Sequence, residues 1–227
     1  MLDPWFLLQS PPSDPAFNMA ADQILLETVH RLGKPVLRLY SWTCPAATFG
    51  YFQRYLDIAP LTELRPLIRR TTGGGLVPHD ADWTYSVAFP SSHTWYGLDA
   101  RESYAKMHRW LRDAFARLHY ETVLAPCCDP SGPGQCFIGA EPSDLLFQSR
   151  KIAGAAQRRS RLGLLIQGSI QPPQGCSRVD WEQSLITLGS LEAGILWKPF
   201  PELDTFQRQA EELAKAVYGT IAHTERR

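Results

Sequence analysis

The chain has 227 residues, 44% of them hydrophobic and 20% charged, with 23 Lys+Arg against 23 Asp+Glu. This is an ordinary globular balance in a chain long enough to bury a core without covalent staples. With no net charge, nothing global draws it to nucleic acid or a membrane surface, so any electrostatic recognition must be local.

The N-terminal residues 1–9 have no basic start, and their apolar run is too short for a signal peptide. No later stretch approaches the length needed to span a bilayer. Residues 15–32 read as a helix: Ser13 or Asp14 can cap it, Pro15 suits its first turn, and Ala21, Leu25, Val29 and Leu32 share one face. Gly33-Lys34-Pro35 ends it. Residues 36–42 and 48–52 read as strands, and a polar stretch with prolines leads to a glycine loop and a strand at 83–89. A second helix is expected over 101–118, with Tyr104, Met107, Leu111, Phe115 and Leu118 on one side, followed by a strand at 120–124. Residues 126–135 are a loop by composition. Short strands are expected near 144–148, 150–157 and 163–170, then a proline-rich break at 172–175. The segment 181–198 is ambiguous, and 204–221 reads as a last helix with Phe206, Ala210, Leu213 and Val217 aligned. Helices and strands do not alternate regularly, which points to an α+β fold, a mixed β-sheet flanked by helices.

The cysteines are Cys44, Cys127, Cys128, Cys136 and Cys176. Their odd number and the lack of a Cys-x-x-Cys pair argue against a disulfide framework or zinc site, so no metal is expected and a reducing cytoplasm fits best.

Two segments carry chemistry. Arg69-Arg70-Thr71-Thr72-Gly73-Gly74-Gly75-Leu76-Val77-Pro78-His79-Asp80 sets three glycines between two arginines and a His-Asp pair. Such a run lets a ligand approach the backbone closely, and arginine offers several fixed donors to an anionic or carbonyl group. A glycine-rich hairpin with solvated arginines is the plainer alternative. The loop matches neither a dinucleotide fingerprint nor a Walker loop. The second segment begins at Cys136 and continues through Ser143-Asp144-Leu145-Leu146 to Lys151-Ile152-Ala153-Gly154-Ala155-Ala156-Gln157 and Gln167-Gly168-Ser169-Ile170. Lys151 is either a solvated edge charge or a group held beside a channel that the following small residues leave open. Cys136 is either a small buried hydrophobe or a nucleophile whose thiolate the Lys151 ammonium favours. Arg158, Arg159 and Arg161 form a basic cluster that is either a solvated face or a receiver for a phosphate or an acidic protein.

Together these pieces resemble the lipoate–protein ligase and octanoyltransferase family, which shares its catalytic domain with biotin–protein ligases. Phe17-Asn18-Met19-Ala20-Ala21-Asp22 looks like the family's opening helix. Arg38-Leu39-Tyr40-Ser41-Trp42 with Phe49-Gly50-Tyr51-Phe52-Gln53 looks like its paired strands, the segment from Arg69 to Asp80 like its glycine loop, and the segments at Lys151 and Gln167 like its lysine strand and the block after it. The resemblance covers roughly residues 15–170. It implies one catalytic domain over residues 1–227, with 171–227 as a short C-terminal extension rather than an accessory domain. The implied activity is protein lipoylation: transfer of an octanoyl or lipoyl group to the lysine of lipoyl domains of 2-oxoacid dehydrogenases or of the glycine cleavage H protein. By match, Cys136 and Lys151 would be catalytic. Arg70, Thr72, Gly73, Gly74, Gly75, His79, Asp144, Gly154 and Ala155 would bind the acyl substrate.

Two mechanisms follow from the resemblance. The preferred one takes the acyl group from acyl carrier protein as a thioester on Cys136 and needs no cofactor; Cys136-Phe137 and the strand from Trp83 resemble that group. The other activates the free acid with ATP and Mg²⁺ as an adenylate, and the complete Gly73-Gly74-Gly75 resembles those ligases. A non-catalytic lipoate-binding homologue is a further alternative.

Overall fold

The computed structural model describes residues 2–128 and 136–226. In chain order they form β1 (Asp3–Gln9), α1 (Pro15–Leu32), β2 (Val36–Tyr40), β3 (Ala46–Phe49), α2 (Tyr55–Ile58), β4 (Leu67–Arg69), β5 (Val77–His79), β6 (Trp83–Pro90), α3 (Thr94–Gly97) and α4 (Ala100–Ala116). They continue as β7 (Val123–Leu124), β8 (Leu145–Phe147), β9 (Arg150–Ser160), β10 (Gly163–Ile170), α5 (Arg178–Glu192), β11 (Ile195–Pro199), α6 (Leu203–Leu213) and α7 (Ile221–Thr224). A large sheet has the order β11-β1-β2-β6-β10-β9-β8-β7 and a small one the order β4-β3-β5. β11, β1 and β2 run parallel, and every pair from β2 to β7 is antiparallel. The fold is therefore α+β, mixed sheets flanked by helices, as the irregular order of elements implied.

Helix α1 keeps its expected bounds because both ends are chemically marked. The Asp14 carboxylate accepts from the Ala16 and Phe17 amides, and Gly33 closes the helix at φ 62° with its N–H on the Val29 carbonyl. Strand alternation then divides the core. Leu37, Leu39, Tyr85, Val87, Phe89, Leu164 and Ile166 face α4 and α5, where Met107, Leu111, Phe115, Trp181 and Leu185 meet them. The alternate positions Val36, Ala88 and Leu165 face α1 and α6, packing on Leu25, Val29, Phe206 and Ala210.

Several expectations need correction. The strands at 36–42 and 48–52 are not partners: both edges of β2 are taken by β1 and β6, and β3 crosses to the small sheet between β4 and β5. The N-terminal residues, read only for the absence of a leader, form β1 inside the large sheet. The strand at 120–124 shrinks to β7, and the ambiguous segment 181–198 resolves into α5 and β11. The last helix stops at Leu213 and continues as a π-helical turn, Ala214–Tyr218. Residues 129–135 of the loop expected at 126–135 lie outside the described residues. No described helix is long and apolar enough to cross a membrane.

The α1-facing side of the large sheet turns polar toward one end, around the carboxylate of Asp22. Fully buried, it accepts from Arg38 Nη1 at 2.9 Å, Ser86 Oγ at 2.7 Å, Tyr40 OH at 2.8 Å and Gln167 Nε2 at 2.6 Å. Asn18, one turn earlier, accepts from Arg38 Nη2 at 2.6 Å. Removing one partner of a buried ion pair leaves the other charge uncompensated, which costs about 3–5 kcal/mol. Asp22→Ala is therefore expected to lose stability by about that amount in urea unfolding. A loss below about 1 kcal/mol, as for an exposed pair, would show that water replaces the carboxylate.

Candidate active site

A cavity of about 40 Å³ lies between the two sheets. Its floor is the polar end of the large sheet, with Tyr40, Thr84, Gln167, Ser169, Gly154 and Ala156; Met19 of α1, Thr48, Val77 and His79 of the small sheet, and the glycine loop complete it.

The glycine loop is folded around Arg70. Its guanidinium donates to the Thr48 hydroxyl at 3.0 Å and to the carbonyls of Gly73 and Gly75 at 2.7 and 2.8 Å. Burial pushes the Arg70 pKa down to about 10. Gly74 sits at φ 84°, and a Cβ on Gly50 would come within 2.0 Å of the Gly74 carbonyl oxygen. Two backbones thus meet where neither tolerates a side chain. Thr48 also bonds His79 Nε2 at 2.8 Å, and His79 Nδ1 bonds Asp82 at 2.8 Å. An ionised Asp82 can only accept, so a neutral His79 carries its proton on Nδ1, toward Asp82, and Nε2 accepts from the Thr48 hydroxyl. Trp42 stacks on the His79 ring with centroids 4.0 Å apart.

At the β9 edge of the cavity the chain brings together Cys136 and Lys151. A Cβ built on Gly154 would lie 3.2 Å from Cys136 Sγ, 3.1 Å from Lys151 Nζ and 2.9 Å from Lys151 Cε. The missing side chain leaves room for the Cys136 thiol and the Lys151 ammonium on either side of that position. The Cys136 amide donates to the Leu76 carbonyl at 2.9 Å, fastening the cysteine to the end of the glycine loop. Lys151 Nζ pairs with buried Asp144 at 2.6 Å. Asp144 also accepts from the Glu141 amide at 2.6 Å and from the Tyr104 hydroxyl, which itself takes the Ala155 amide at 3.1 Å. His108, pushed down to about 3 by burial, meets the Tyr104 ring edge-on at 4.2 Å.

Burial raises the Cys136 thiol above its ordinary value; Lys151 opposes this, Asp144 adds to it and Arg70 opposes it. The expected thiolate preference is therefore reversed: the lysine acts in the anticipated direction, but desolvation outweighs it.

Among the residues expected at the site, Arg70, Gly74, Gly75, His79, Cys136, Gly154 and Ala155 line the cavity. Lys151 lines the adjoining groove of about 590 Å³, with Pro78, Asp80, Phe137, Leu146 and Arg150. Thr72, Gly73 and Asp144 are not among the wall residues. Thr72 donates to Gln167 at 2.7 Å, Gly73 offers its carbonyl to Arg70, and Asp144 stands behind Lys151. Two residues of the basic cluster make internal hydrogen bonds, while Arg158 and Arg161 remain exposed. Arg158 bonds Thr71, and Arg159 bonds the Tyr96 and Asp99 carbonyls and Ser103. Sequence reading did not single out Thr48, Asp82, Thr84 or Tyr104 for the site. Nothing local marks them, because each acts through a partner on another element.

A model of the lipoyl protein ligase A/B catalytic domain matches residues 14–171. Octanoyltransferase LipM of Staphylococcus aureus is 35% identical over 184 residues, which covers 75% of this chain and 66% of that protein. The LipM of Oceanobacillus iheyensis is 35% identical over 179 residues, 75% of this chain and 64% of its own. The match thus spans just under two thirds of the length of these curated relatives. Among solved structures, lipoate-protein ligase A bound with ATP has a TM-score of 0.78 at 21% identity, covering 99% of each chain. The bi-partite lipoate protein ligase of Thermoplasma acidophilum, described with its E2 lipoyl domain, has a TM-score of 0.73 at 20% identity, covering 99% of this chain and 96% of that one. Those identities speak to the fold, and the sequence match decides the grouping: the chain belongs to the lipoyl protein ligase A/B catalytic domain family.

Proposed function

We propose that this protein transfers an octanoyl group from acyl carrier protein to the lysine of a lipoyl domain, through a thioester on Cys136. The observation that carries this reading is the convergence of Cys136 Sγ and Lys151 Nζ beside the empty Cβ position of Gly154, where the cavity adjoins the groove. The octanoyltransferase relatives support it. The lipoyl domains would belong to 2-oxoacid dehydrogenases or be the glycine cleavage H protein. The exposed free Cys44, Cys127 and Cys128 fit a reducing cytoplasm.

In the first step Cys136 sulfur attacks the donor thioester carbonyl. A new C–S bond forms, the bond to the carrier breaks, and the carrier leaves as a thiol with the proton that Cys136 gives up. Lys151, its charge held beside Asp144, supplies a fixed ammonium for the oxyanion of the tetrahedral intermediate. In the second step the acceptor amine attacks the acyl-enzyme. A C–N bond forms, the C–S bond breaks, and one amine proton returns to sulfur. Thioester exchange is nearly balanced and aminolysis runs downhill, so neither step needs ATP. The hydrogen bonds of Arg70 hold the glycine loop in place.

The complete Gly73-Gly74-Gly75 favours a second reading, an ATP-dependent ligase. Free lipoate would become an adenylate beside Lys151, Mg²⁺ would balance the phosphates in the groove, and Cys136 would only fill space.

Intact-mass analysis separates the readings. Mixed with octanoyl–acyl carrier protein and an apo lipoyl domain without ATP, the protein is expected to octanoylate the domain and to carry a hydroxylamine-sensitive octanoyl adduct. Cys136→Ala is expected to lose both. Modification only when lipoate and Mg-ATP are supplied would overturn the transferase. Lys151→Met is expected to slow transfer about 10²–10³-fold in steady-state assays, as for loss of an oxyanion-stabilising group.

The thiolate is the reactive form of cysteine, and burial raises the Cys136 pKa, so the neutral thiol prevails at pH 7. Iodoacetamide labelling of the Cys136 peptide is therefore expected to accelerate with pH and to level off above the range of an ordinary thiol. Lys151→Met removes a cation that opposes the rise, so its profile is expected to move further alkaline. A profile flat from pH 6 upward would contradict the assigned direction.

Gly154→Ala puts a methyl 3.2 Å from Sγ and 3.1 Å from Nζ, so that both must shift, and transfer is expected to fall at least about 10²-fold, as for a comparable misplacement of reacting groups. Circular dichroism and the melting temperature check that the variant is folded; unchanged kcat would remove Gly154 from the argument.

A further inference from the structure

Strand β5 and the residue after it form the wall between the cavity and the groove, and the pleat sorts their side chains between the two. Val77 and His79 line the cavity, while Pro78 and Asp80, at the alternate positions, line the groove. The chain divides in the same way at the cysteine: Cys136 lines the cavity and Phe137 the groove. Lys151 lines the groove, and its Nζ flanks the same Gly154 Cβ position as Cys136 Sγ. The groove therefore meets the cavity at the sulfur.

Asp80, Arg150 and Lys151 are the charged side chains that line the groove among the described residues. The Lys151 ammonium is already matched by Asp144 at 2.6 Å. Asp82, two residues beyond Asp80, is turned inward and takes His79, Thr84 and Ser169. Asp80 is exposed and, among the described residues, its carboxylate makes no hydrogen bond or ion pair. It is the one acid in the groove wall whose charge is open to a ligand. Beside it the wall is apolar, with Pro78, Pro126, Leu146 and half-buried Phe137, whose ring centroid is 5.7 Å from Lys151 Nζ.

A carboxylate beside an apolar and aromatic wall is the chemistry that receives a lysine side chain: the methylene stem packs on the wall and the ammonium reaches the acid. An acceptor lysine arrives charged at neutral pH. Asp144 cannot be its counterion, being fully buried and bound to Lys151.

We propose that the groove receives the acceptor lysine, and that Asp80 is the specificity-determining residue that binds its ammonium. What is transferred rests on the acyl-transfer reading above. Asp80 acts before the bonds change. The bound ammonium gives one proton to solvent through the open groove, and the neutral amine attacks the acyl carbonyl. The C–N bond forms, the C–S bond breaks, and a second amine proton returns to sulfur.

The test discharges one preparation of octanoyl-enzyme with either an apo lipoyl domain or hydroxylamine, and follows both by intact mass. Hydroxylamine is uncharged at neutral pH and needs no counterion. The ratio of the two second-order rates cancels any difference in folded or acylated fraction between variants. Asp80→Asn keeps the shape and removes the charge, and is expected to lower the domain-to-hydroxylamine ratio about tenfold or more, as for loss of a hydrogen bond to a charged group. Asp80→Lys is expected to lower it further. A ratio within about twofold of the natural protein in both variants overturns the assignment, even if both rates fall together, because a merely supporting residue would slow the two nucleophiles alike. If octanoyl–acyl carrier protein leaves no octanoyl-enzyme, the transferase reading falls, and the same ratio is read from protein preloaded with lipoate and Mg-ATP; the same drop there supports Asp80, and an unchanged ratio overturns it. No modification of the domain by the natural protein from either donor overturns both.

Discussion

The carboxylate of Asp22 is the interaction on which the rest depends. It is fully buried, and its donors come from three strands that are distant in sequence: Arg38 and Tyr40 on β2, Ser86 on β6, Gln167 on β10. A buried carboxylate is tolerated only when its lone pairs are filled, so these bonds fix α1 on the sheet at one height and one rotation. Gln167 carries the constraint onward, because its carbonyl oxygen holds Thr72 at the start of the glycine loop. Two of these donors, Tyr40 and Gln167, also form part of the floor of the cavity. Stabilising the fold and shaping the candidate site are one set of hydrogen bonds.

A second consequence concerns the arginines. In a chain with no net charge, the buried ones act as struts. Arg70 closes the glycine loop on itself, Arg38 completes the Asp22 cluster, and Arg69 reaches the carbonyls of Tyr51, Gln53 and Thr224. The fixed fork of a guanidinium suits this, since one group satisfies carbonyls on separate segments. The loop's open backbone is therefore held rigid although it contains three glycines. Close approach of Gly50 to Gly74 is possible because Gly50 lacks a side chain, while Gly74 supplies the positive φ of the turn.

The Cys136–Lys151 pair shows how burial limits electrostatics. An ammonium beside a thiol favours the thiolate, but this ammonium is already matched by Asp144, and enclosure penalises a new charge on sulfur. The resting cluster is one neutral thiol beside one ion pair, the arrangement that leaves least net charge in a low dielectric. Tyr104 and the Glu141 amide complete the carboxylate's partners from α4 and the loop before β8. Lys151 is thereby aimed at the same space as the sulfur, and Gly154 leaves that space open.

By itself the sequence determined the elements whose signals are local. Asp14, Pro15 and Gly33 mark the ends of α1, the apolar periodicity marks α4, and the glycine run and the small residues after Lys151 mark where a ligand can come close. It also carried the family resemblance over the first 170 residues or so, and with it Cys136, Lys151 and part of the cavity wall. Tertiary structure decided what depends on distant partners. β1 is a strand because β11 and β2 flank it, β2 and β3 separate because β2 has no free edge, and Thr72 and Asp144 support the site from behind because Gln167 and Lys151 are placed to receive them. The direction of the Cys136 shift was decided there too. Residue type names the charges, but burial, which exists only once the chain is packed, sets which form of the thiol they can keep.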